Sequence, residues 1–295
     1  MIALRATRSV LAYKAAQTLD RANKVGPRAP GGATRTRPAR GSWRAEKRAP
    51  DGAEGERLVC GLQPVRESIR GLGSAVRRLE VAEGDNPKLA ALVRFAEAQG
   101  VTSIHRLPRS ELDRAAQGSQ HQGAIAYCPP LQLQEWDTVI ARPNLLAIAL
   151  DRVQDPQNFG AVIRSAVATC EAPVLWGENA SAPLSTATFR ASAGAVEHAV
   201  LCRVPSLPTA LQAAQAAGAQ VVGLAAQGER MLSEVDLCQP TVLVLGSEGA
   251  GLQPAVRRSC TSLASLIRPR VLDSLNASVA AAIALYEAHQ QRRHA

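Results

Sequence analysis

Three separate stretches of the chain place polar side chains beside small residues, where an apolar element begins or ends. They are DPQNFG at residues 155–160, followed by Arg164, then LGSEGAG at residues 245–251 and SLNASVAAA at residues 274–282. Amides, hydroxyls, carboxylates and guanidinium groups hold protons or bind anions. A segment that only had to pack would not need them at these junctions. The sequence therefore predicts one active site assembled from all three stretches.

The region that contains them, residues 145–292, is predicted to alternate strands and helices. This alternation is typical of a mostly parallel sheet covered on both faces. The predicted strands are 145–150, 173–176, 199–204, 220–224, 241–245 and 262–267, and the predicted helices are 159–170, 185–193, 207–217, 253–260 and 276–291. Ligands of such sheets lie beyond the carboxyl ends of the strands, where all three stretches fall. No GxGxxG motif follows the first strand, which argues against an ordinary dinucleotide site.

Each stretch also has a purely structural interpretation. Asn158 is predicted to cap a helix, and Arg164 would then be a solvated surface arginine. The glycines of residues 246–251 would form a turn, and Ser274 or Asn276 would cap the last helix. These interpretations explain each stretch alone, but they do not explain why all three occur together in this order.

Taken together, the three stretches resemble the SpoU (TrmH-like) family of RNA ribose 2′-O-methyltransferases, within the SPOUT superfamily. The resemblance implies an α/β fold with a mostly parallel sheet and a trefoil knot, formed where residues 274–282 thread a loop. It implies methyl transfer from S-adenosylmethionine to a ribose O2′ without a metal, in a homodimer with its active site near the subunit interface. The implied partner is structured RNA, with ribosomal RNA favoured and transfer RNA as the alternative.

The resemblance also assigns roles to individual residues. It implies catalytic roles for Asn158, Arg164, Glu248, Ser274 and Asn276. It implies cofactor binding by Leu245, Gly246, Gly251, Ile267 and Leu275. Because a guanidinium is very hard to deprotonate, we expect Arg164 to clamp the phosphate beside the target ribose. The hydroxyl proton would then pass to Glu248, to water or to the phosphate.

Residues 267–273 depart from the family pattern. The family has a segment of the type Ile-Pro-Met-x-Gly, whereas this chain reads IRPRVLD, without a glycine. Because this segment helps to line the cofactor pocket, a second hypothesis stays open: an RNA-binding protein of the same fold that has lost catalysis. The presence of Asn158, Arg164, Glu248 and Asn276 argues against that hypothesis.

Residues 57–130 are predicted to form a small α/β domain, followed by a linker at residues 131–144. Its predicted helices are 61–71, 88–99 and a short one capped by Ser110, and its predicted strands are 75–82, 101–107 and 124–128. The tripeptide His121-Gln122-Gly123 precedes the last strand. It resembles the same position in L30e-like RNA-binding domains and implies contact with RNA, whereas its structural interpretation is a plain turn.

A basic segment precedes this domain. Residues 1–57 hold thirteen Lys and Arg residues and five acidic residues, so they carry +8 of the net charge of +9. This composition predicts a disordered tail at residues 1–56. An RNA-binding arm is the favoured role, while a mitochondrial presequence at residues 1–16 and a solubilising tail are the alternatives. The predicted location is therefore the cytoplasm, with the mitochondrial matrix as the alternative.

The composition argues against several other classes of protein. With 295 residues and 46% hydrophobic content, the chain has enough material for a sizeable core in two domains. No apolar run approaches the roughly 20 residues of a membrane span, so no membrane partner is expected. No two of the six cysteines have metal-ligand spacing, and buried reduced thiols are the prediction.

Overall fold

Two β-sheets organise the part of the chain that the computed structural model describes, which comprises residues 55–179, 181–182, 184–267 and 275–294. All of these residues belong to one unit, Lys47–Ala295. None of the described helices has the length and apolarity that a membrane span requires. The predicted tail lies outside the described residues, apart from residues 55 and 56.

The smaller sheet has four strands in the order β1-β4-β2-β3. Its elements are β1 Arg57–Cys60, β2 Arg78–Ala82, β3 Ile104–Leu107 and β4 Ala124–Cys128, with helices α1 Leu62–Leu72, α2 Pro87–Ala98 and α3 Arg109–Ala115. β4 pairs antiparallel with β1 and β2, and β3 runs parallel to β2. The sheet is therefore mixed, with its core on the buried faces of β2 and β4.

Two local features of this region differ from the sequence prediction. No strand is predicted at residues 57–60, but β1 forms there because Val59 and Cys60 are buried against β4. The predicted cap at Ser110 is wrong. Helix α3 begins at Arg109, two residues before the start that a cap at Ser110 would give, and it has no side-chain cap.

The larger sheet has seven strands in the order β7-β6-β5-β10-β8-β11-β9, and every pairing between them is parallel. They are β5 Leu146–Leu150, β6 Val174–Gly177, β7 Leu201–Val204, β8 Gln220–Leu224, β9 Arg230–Met231, β10 Thr241–Leu245 and β11 Ser262–Ser265. The central strands β5 and β10 are buried along their whole length, as continuous apolar runs in parallel sheets are. The predicted mostly parallel α/β architecture is confirmed, and the short strand β9 is an addition to it.

Six helices accompany the larger sheet: α4 Trp136–Ile140, α5 Pro156–Cys170, α6 Thr186–Ala191, α7 Leu207–Ala216, α8 Pro254–Arg258 and α9 Ala277–Arg293. Helix α4 lies within the predicted linker at residues 131–144. Its Trp136 is buried, and the indole Nε1 donates a hydrogen bond to the Ala210 carbonyl in α7 at 2.9 Å. Helix α4 is therefore packed against α7. The domain boundaries given in the sequence analysis stay a prediction.

A buried ion pair connects the smaller sheet to the region of the larger one. The Arg57 guanidinium donates to both carboxylate oxygens of Glu197, at 2.8 and 2.9 Å, and the two side chains are 0% and 2% exposed. Arg57 Nε donates to the Pro129 carbonyl, and Ser68 Oγ donates to Glu197. The Phe189 ring lies 5.3 Å from the guanidinium carbon. Both charges are thus surrounded by partners, as buried charges must be.

The six cysteines are free, and burial raises the thiol pKa of five of them: Cys60, Cys128, Cys170, Cys202 and Cys260. Desolvation raises the pKa of Cys128 to about 12 and that of Cys60 to about 11. Such thiols stay protonated and unreactive at neutral pH. Within the described ranges, no group of three or more His, Cys, Asp or Glu side chains is placed to hold a metal ion.

The predicted trefoil knot depends on the path of the segment that joins β11 to α9. Residues 268–274 of that segment lie outside the described residues. The knot therefore stays a prediction, as does the consequence of the unusual IRPRVLD sequence.

Candidate active site

One hydrogen-bond network joins the three stretches. Glu248 Oε1 accepts from the amide groups of Asn158, at 2.9 Å, and Asn276, at 2.7 Å. The Asn276 amide also donates to Asn158 Oδ1 at 3.0 Å, and the Ala277 backbone N–H donates to Glu248 at 3.3 Å. One carboxylate oxygen thus binds the first turn of α5 and the start of α9 to the loop after β10. The predicted convergence of these segments is present in the fold.

The start of α5 explains how Asn158 reaches this network. The Asp155 carboxylate accepts from the backbone N–H groups of Gln157 and Asn158, and Pro156 occupies the first helical position. The prediction that Asn158 caps this helix is therefore wrong, because Asp155 does so. The Asn158 side chain is left free to bind Glu248, and the residue is only 8% exposed.

Asn276 both caps a helix and takes part in the network. Its Oδ1 accepts from the backbone N–H groups of Ser278 and Val279, while its Nδ2 donates to Glu248. The Ser278 hydroxyl donates to the same Oδ1 at 2.6 Å. The predicted cap at Asn276 is therefore confirmed, and the same side chain can join the network because an amide carries an acceptor and two donors. Its catalytic role stays a prediction.

The loop after β10 depends on its glycines. Ser247 and Gly251 form an isolated β-bridge that folds the loop back on itself. A Cβ on Gly246 would overlap the backbone of Gly251, so no larger residue fits there without moving the loop. Gly249 and Gly251 have φ angles of 78° and 64°, which favour glycine. A Cβ on either of them would meet no other atom within 4 Å, so the backbone there faces open space.

A cavity of about 500 Å³ opens beside this loop, at the carboxyl ends of β8, β10 and β11. All five predicted cofactor residues line it: Leu245, Gly246, Gly251, Ile267 and Leu275. Glu248 also borders it, beside the backbone of residues 224–227. The volume lies within the roughly 300–1,000 Å³ of small-molecule pockets. Its walls combine apolar side chains and glycine backbone with the Glu248 and Arg257 side chains, which suits a ligand with apolar and charged parts.

Arg164 lies on the exposed surface of α5, six residues after Asn158. At about 1.5 Å per residue, this places it roughly 9 Å further along the helix axis. It makes no hydrogen bond or ion pair with any residue that the structure describes. Its guanidinium is therefore available to an anionic partner, although its catalytic role stays a prediction.

Two predicted site residues, Ser274 and Ile267, belong to the segment that joins β11 to α9. Ser274 lies outside the described residues, so its place in the site stays a prediction. Ile267, the last described residue before that gap, lines the cavity and is 41% exposed.

The tripeptide His121-Gln122-Gly123 is mostly internal. His121 is 3% exposed, its Nδ1 accepts from the Gly123 backbone N–H at 3.1 Å, and its Nε2 lies 2.8 Å from Asp113 Oδ1. Gln122 is exposed, and its side-chain oxygen accepts from the Leu62 backbone N–H. We therefore expect His121 and Gly123 to shape the loop and Gln122 to be the member that can reach RNA. Contact with RNA at this position stays a prediction.

Sequence reasoning assigned no role to Gly160, but the structure gives it one. A Cβ there would lie 2.6 Å from both the Ala191 Cβ and the Thr188 carbonyl oxygen of α6. Gly160 thus lets α5 approach α6 closely and fixes the position of Asn158 two residues before it. A glycine inside a predicted helix is the sequence signal that indicates such an approach.

Both the region of the smaller sheet and the region of the larger sheet match known protein families. Residues 145–286 match the family described as "SpoU rRNA Methylase family", and residues 58–134 match "RNA 2′-O ribose methyltransferase substrate binding". An uncharacterized tRNA/rRNA methyltransferase of Mycolicibacterium vanbaalenii is 36% identical over 276 residues, which cover 91% of this chain and 86% of the relative.

Solved structures with the same fold include two that contain AdoMet. One is the SpoU methyltransferase AviRb from Streptomyces viridochromogenes in complex with AdoMet, with a TM-score of 0.67, 28% identity, and coverage of 82% of this chain and 92% of that chain. The other is an AdoMet-bound rRNA methyltransferase from Sinorhizobium meliloti, with a TM-score of 0.66, 26% identity, and coverage of 81% and 87%.

Proposed function

The chain belongs to the SpoU family of RNA methyltransferases, and we propose that it methylates the 2′-hydroxyl of a ribose in structured RNA with S-adenosylmethionine as the donor. The observation that carries this proposal is the Asn158–Glu248–Asn276 network, which lies beside a cavity lined by all five predicted cofactor residues. The two AdoMet complexes among the structural relatives support the choice of donor.

When bound, S-adenosylmethionine would supply an activated methyl group: the ribose O2′ would form a bond to the methyl carbon as the S–CH3 bond breaks, with S-adenosylhomocysteine as the leaving group. The protein's part is to bind and orient both reactants, and such positioning supplies much of the acceleration. Leu245, Ile267 and Leu275 offer apolar surface, and the loop at residues 246–251 offers backbone groups. Glu248 and Arg257 border the cavity, so a ligand that carries both a cationic centre and a carboxylate finds a charged partner of each sign.

Arg164 and Glu248 then take different parts. The Arg164 guanidinium binds the phosphate next to the target ribose and stabilises negative charge that develops on O2′. Glu248 Oε1 already accepts three hydrogen bonds, so we assign Glu248 to holding the three segments in place. The hydroxyl proton passes to water or to the RNA phosphate.

We propose ribosomal RNA as the substrate, recognised in part by the region around the smaller sheet and by the basic tail. The match of residues 58–134 to a substrate-binding family supports a role for that region in holding RNA. Structured RNA is recognised largely through its shape and its phosphates, which a basic segment suits. We place the reaction in the cytoplasm, which the free cysteines support.

Mapping 2′-O-methyl sites in total RNA from cells with and without the protein tests this function. Loss of one site in ribosomal RNA is the expected result, and loss of a transfer RNA site would move the substrate to that class. If no site is lost, and labelled S-adenosylmethionine does not bind at millimolar concentration, the chain is an RNA-binding protein without catalysis.

We further propose that the protein is a homodimer through α9. Val279, Ile283 and Tyr286 are 46%, 41% and 57% exposed, although all three are large and apolar. Their spacing of four and three residues places them on one face of the helix. Contiguous apolar surface of this kind marks an interaction site. A second copy of the chain is the proposed occupant, which would bring the interface close to the start of α9 and its network.

The variant Ile283→Glu tests this interface. A glutamate in the middle of the apolar face would be buried without a partner in the dimer, so we expect the dimer dissociation constant to rise by about 30-fold or more. Analytical ultracentrifugation over a range of concentrations measures it. Val279→Ile is the control, because it keeps the face apolar. Equal dimer dissociation constants for both variants and wild type would exclude this face of α9 as the dimer interface.

The variant Gly246→Ala tests the loop that borders the cofactor cavity. The added methyl group overlaps the Gly251 backbone, so we expect a loss of about 1–3 kcal/mol in the free energy of unfolding. S-adenosylmethionine affinity should fall at least about tenfold, because the loop must move. Thermal unfolding and calorimetric titration measure the two effects.

Gly218→Ala is a suitable control for Gly246→Ala. Gly218 has a φ of 91° and open space around its Cβ position, and it lies away from the cavity. Its backbone strain should cost a comparable roughly 1–2 kcal/mol without changing cofactor affinity. Equal loss of affinity in both variants would mean that general instability is the cause.

A further inference from the structure

A second cavity, of about 200 Å³, opens at the same edge of the larger sheet. It lies at the ends of β5, β6 and β7, whereas the cofactor cavity lies at the ends of β8, β10 and β11. The Asp151 backbone N–H donates to the Leu245 carbonyl at 2.8 Å, which joins the ends of β5 and β10, the neighbouring strands of the two sets. With neighbouring strands about 4.8 Å apart, the cavity centres are separated by three strand spacings, or roughly 14 Å.

The second cavity contains polar atoms that lack partners. Arg152 Nε and Ser181 Oγ are buried and have no hydrogen-bond partner among the residues described. The Asp151 side chain lies beside them and the residue is only 3% exposed. Its Oδ2 accepts a hydrogen bond from the Gln253 backbone N–H at 2.6 Å. Its Oδ1 lies 3.9 Å from Arg152 Nε. That separation is too long for a hydrogen bond. The Arg152 side chain is otherwise 36% exposed. Buried polar groups are nearly always paired with protein, water or ligand, so these two atoms offer hydrogen-bonding positions to a molecule in the cavity.

The lining of the cavity defines the chemistry of that ligand. Arg152 and Ser181 offer donors, Asp151 offers an acceptor, and Leu207 and Val256 supply apolar walls. A buried carboxylate disfavours a phosphate, whereas adjacent donors and acceptors between apolar walls match the edge and the faces of a nucleobase. The volume is below the roughly 300–1,000 Å³ of pockets for larger ligands and suits a single base.

We propose that this cavity receives one unstacked base of the substrate RNA, from a nucleotide close in sequence to the methylated one. The inference rests on the proposed function, and it makes Asp151, Arg152 and Ser181 determinants of which RNA is methylated. A single-stranded loop lying along the sheet edge reaches both cavities at once. Such loops are the usual targets of sequence-specific RNA recognition, because their bases are free to turn outward.

The variant Gly177→Leu fills the cavity without straining the backbone. A Cβ on Gly177 would meet only Leu207, at 3.8 Å or more, and the φ of Gly177 is not positive. With ribosomal RNA from cells that lack the protein as substrate, we expect KM for RNA to rise about tenfold or more, the effect of one lost base contact. S-adenosylmethionine affinity and kcat at saturating RNA should stay unchanged. Asp151→Asn should raise KM in the same direction.

Arg142→Ala is the control for a general loss of charge or stability. Arg142 is exposed and precedes β5, so it lies at the opposite edge of the sheet. Its replacement should leave KM for RNA within about twofold of wild type, as expected for an exposed residue outside the site. An unchanged KM in Gly177→Leu would overturn the proposal.

Photo-cross-linking gives a second readout that does not depend on turnover. The same RNA, carrying 4-thiouridine and 6-thioguanosine, should cross-link to peptides containing residues 177–182 or 205–208, and Gly177→Leu should abolish those products. Cross-links only to other parts of the protein would overturn the proposal. A wild-type protein that cross-links here but methylates no RNA would contradict the proposed function and still support the base-binding cavity.

Discussion

Replacing Arg164 by alanine is expected to lower kcat for RNA methylation by about 100- to 1,000-fold, the usual effect of removing one charge-stabilising group from an active site. The dissociation constant for S-adenosylmethionine should stay within about twofold of wild type, because Arg164 does not line the cofactor cavity. Stability should also be maintained, since the side chain is exposed and has no partner among the described residues. Single-turnover methylation and calorimetric titration measure these quantities.

Two further variants separate the explanations for a loss of activity at Arg164. Arg94→Ala removes the same charge from an exposed position on α2, and its kcat should be close to that of wild type. Arg164→Lys keeps the charge but loses bidentate geometry, so we expect a lower kcat with an unchanged pH–rate profile. A profile that shifts in Arg164→Lys would mean that this residue exchanges a proton. Equal loss of turnover and cofactor binding in Arg164→Ala would give Arg164 a structural role.

The hydrogen bonds of Glu248 support a positioning role for this residue, distinct from the phosphate-binding role of Arg164. One oxygen of this carboxylate accepts hydrogen bonds from Asn158, from Asn276 and from the Ala277 backbone N–H, so that oxygen is used within the protein. Its contribution is to hold two helix starts and a glycine loop in one arrangement. Enzyme sites need such support, because a small displacement of the reacting groups costs a large part of the rate.

The convergence of the three stretches was predictable from the sequence for a simple reason. Each stretch follows an apolar strand or begins a helix, and the carboxyl ends of parallel strands meet at one edge of a sheet. The same rule places Leu245, Gly246 and Gly251 at the cavity, while Ile267 follows β11 and Leu275 precedes α9. The resemblance to the SpoU family assigned these residues to the cofactor, whereas their placement at this edge follows from the strand bounds, which are local properties of the sequence.

The roles of Asp155 and Asn158 were not predictable in the same way. Both residues are good helix caps and they lie three positions apart, so local sequence offers two choices. The contact between Asn158 and Glu248, ninety residues away, favours Asp155 as the cap. Strand β1 illustrates the same limit, because its register pairs Arg57 with Cys128. Pairing between residues that are far apart in sequence cannot be predicted from a short window of sequence.

The burial of His121 and the second cavity depend on tertiary structure even more strongly. Nothing near His121 in sequence shows that both of its ring nitrogens are used within the protein. The cavity beside Arg152 and Ser181 is built at the ends of three strands, from residue types that are common on surfaces. Only the absence of partners for their polar atoms, which requires coordinates, distinguishes them.

Replacing Arg57 by alanine is expected to lower the free energy of unfolding by about 3–5 kcal/mol, because it leaves the buried Glu197 carboxylate without its counter-charge. Glu197→Ala should have a similar effect, because it leaves the buried Arg57 guanidinium without its counter-charge. The double variant Arg57→Ala with Glu197→Ala should cost less than the sum of the two single changes, because no charge is then left buried and unpaired. Urea unfolding of the four proteins measures the coupling.

The exposed pair between Arg77 and Glu56 provides the matched control for this experiment. Its atoms lie 3.4 Å apart and its side chains are 56% and 44% exposed, so Arg77→Ala should cost at most about 1 kcal/mol. If Arg57→Ala costs no more than Arg77→Ala, the buried pair does not hold the smaller sheet against the region of Glu197. If it costs the expected amount, the buried pair holds the smaller sheet against the region of Glu197.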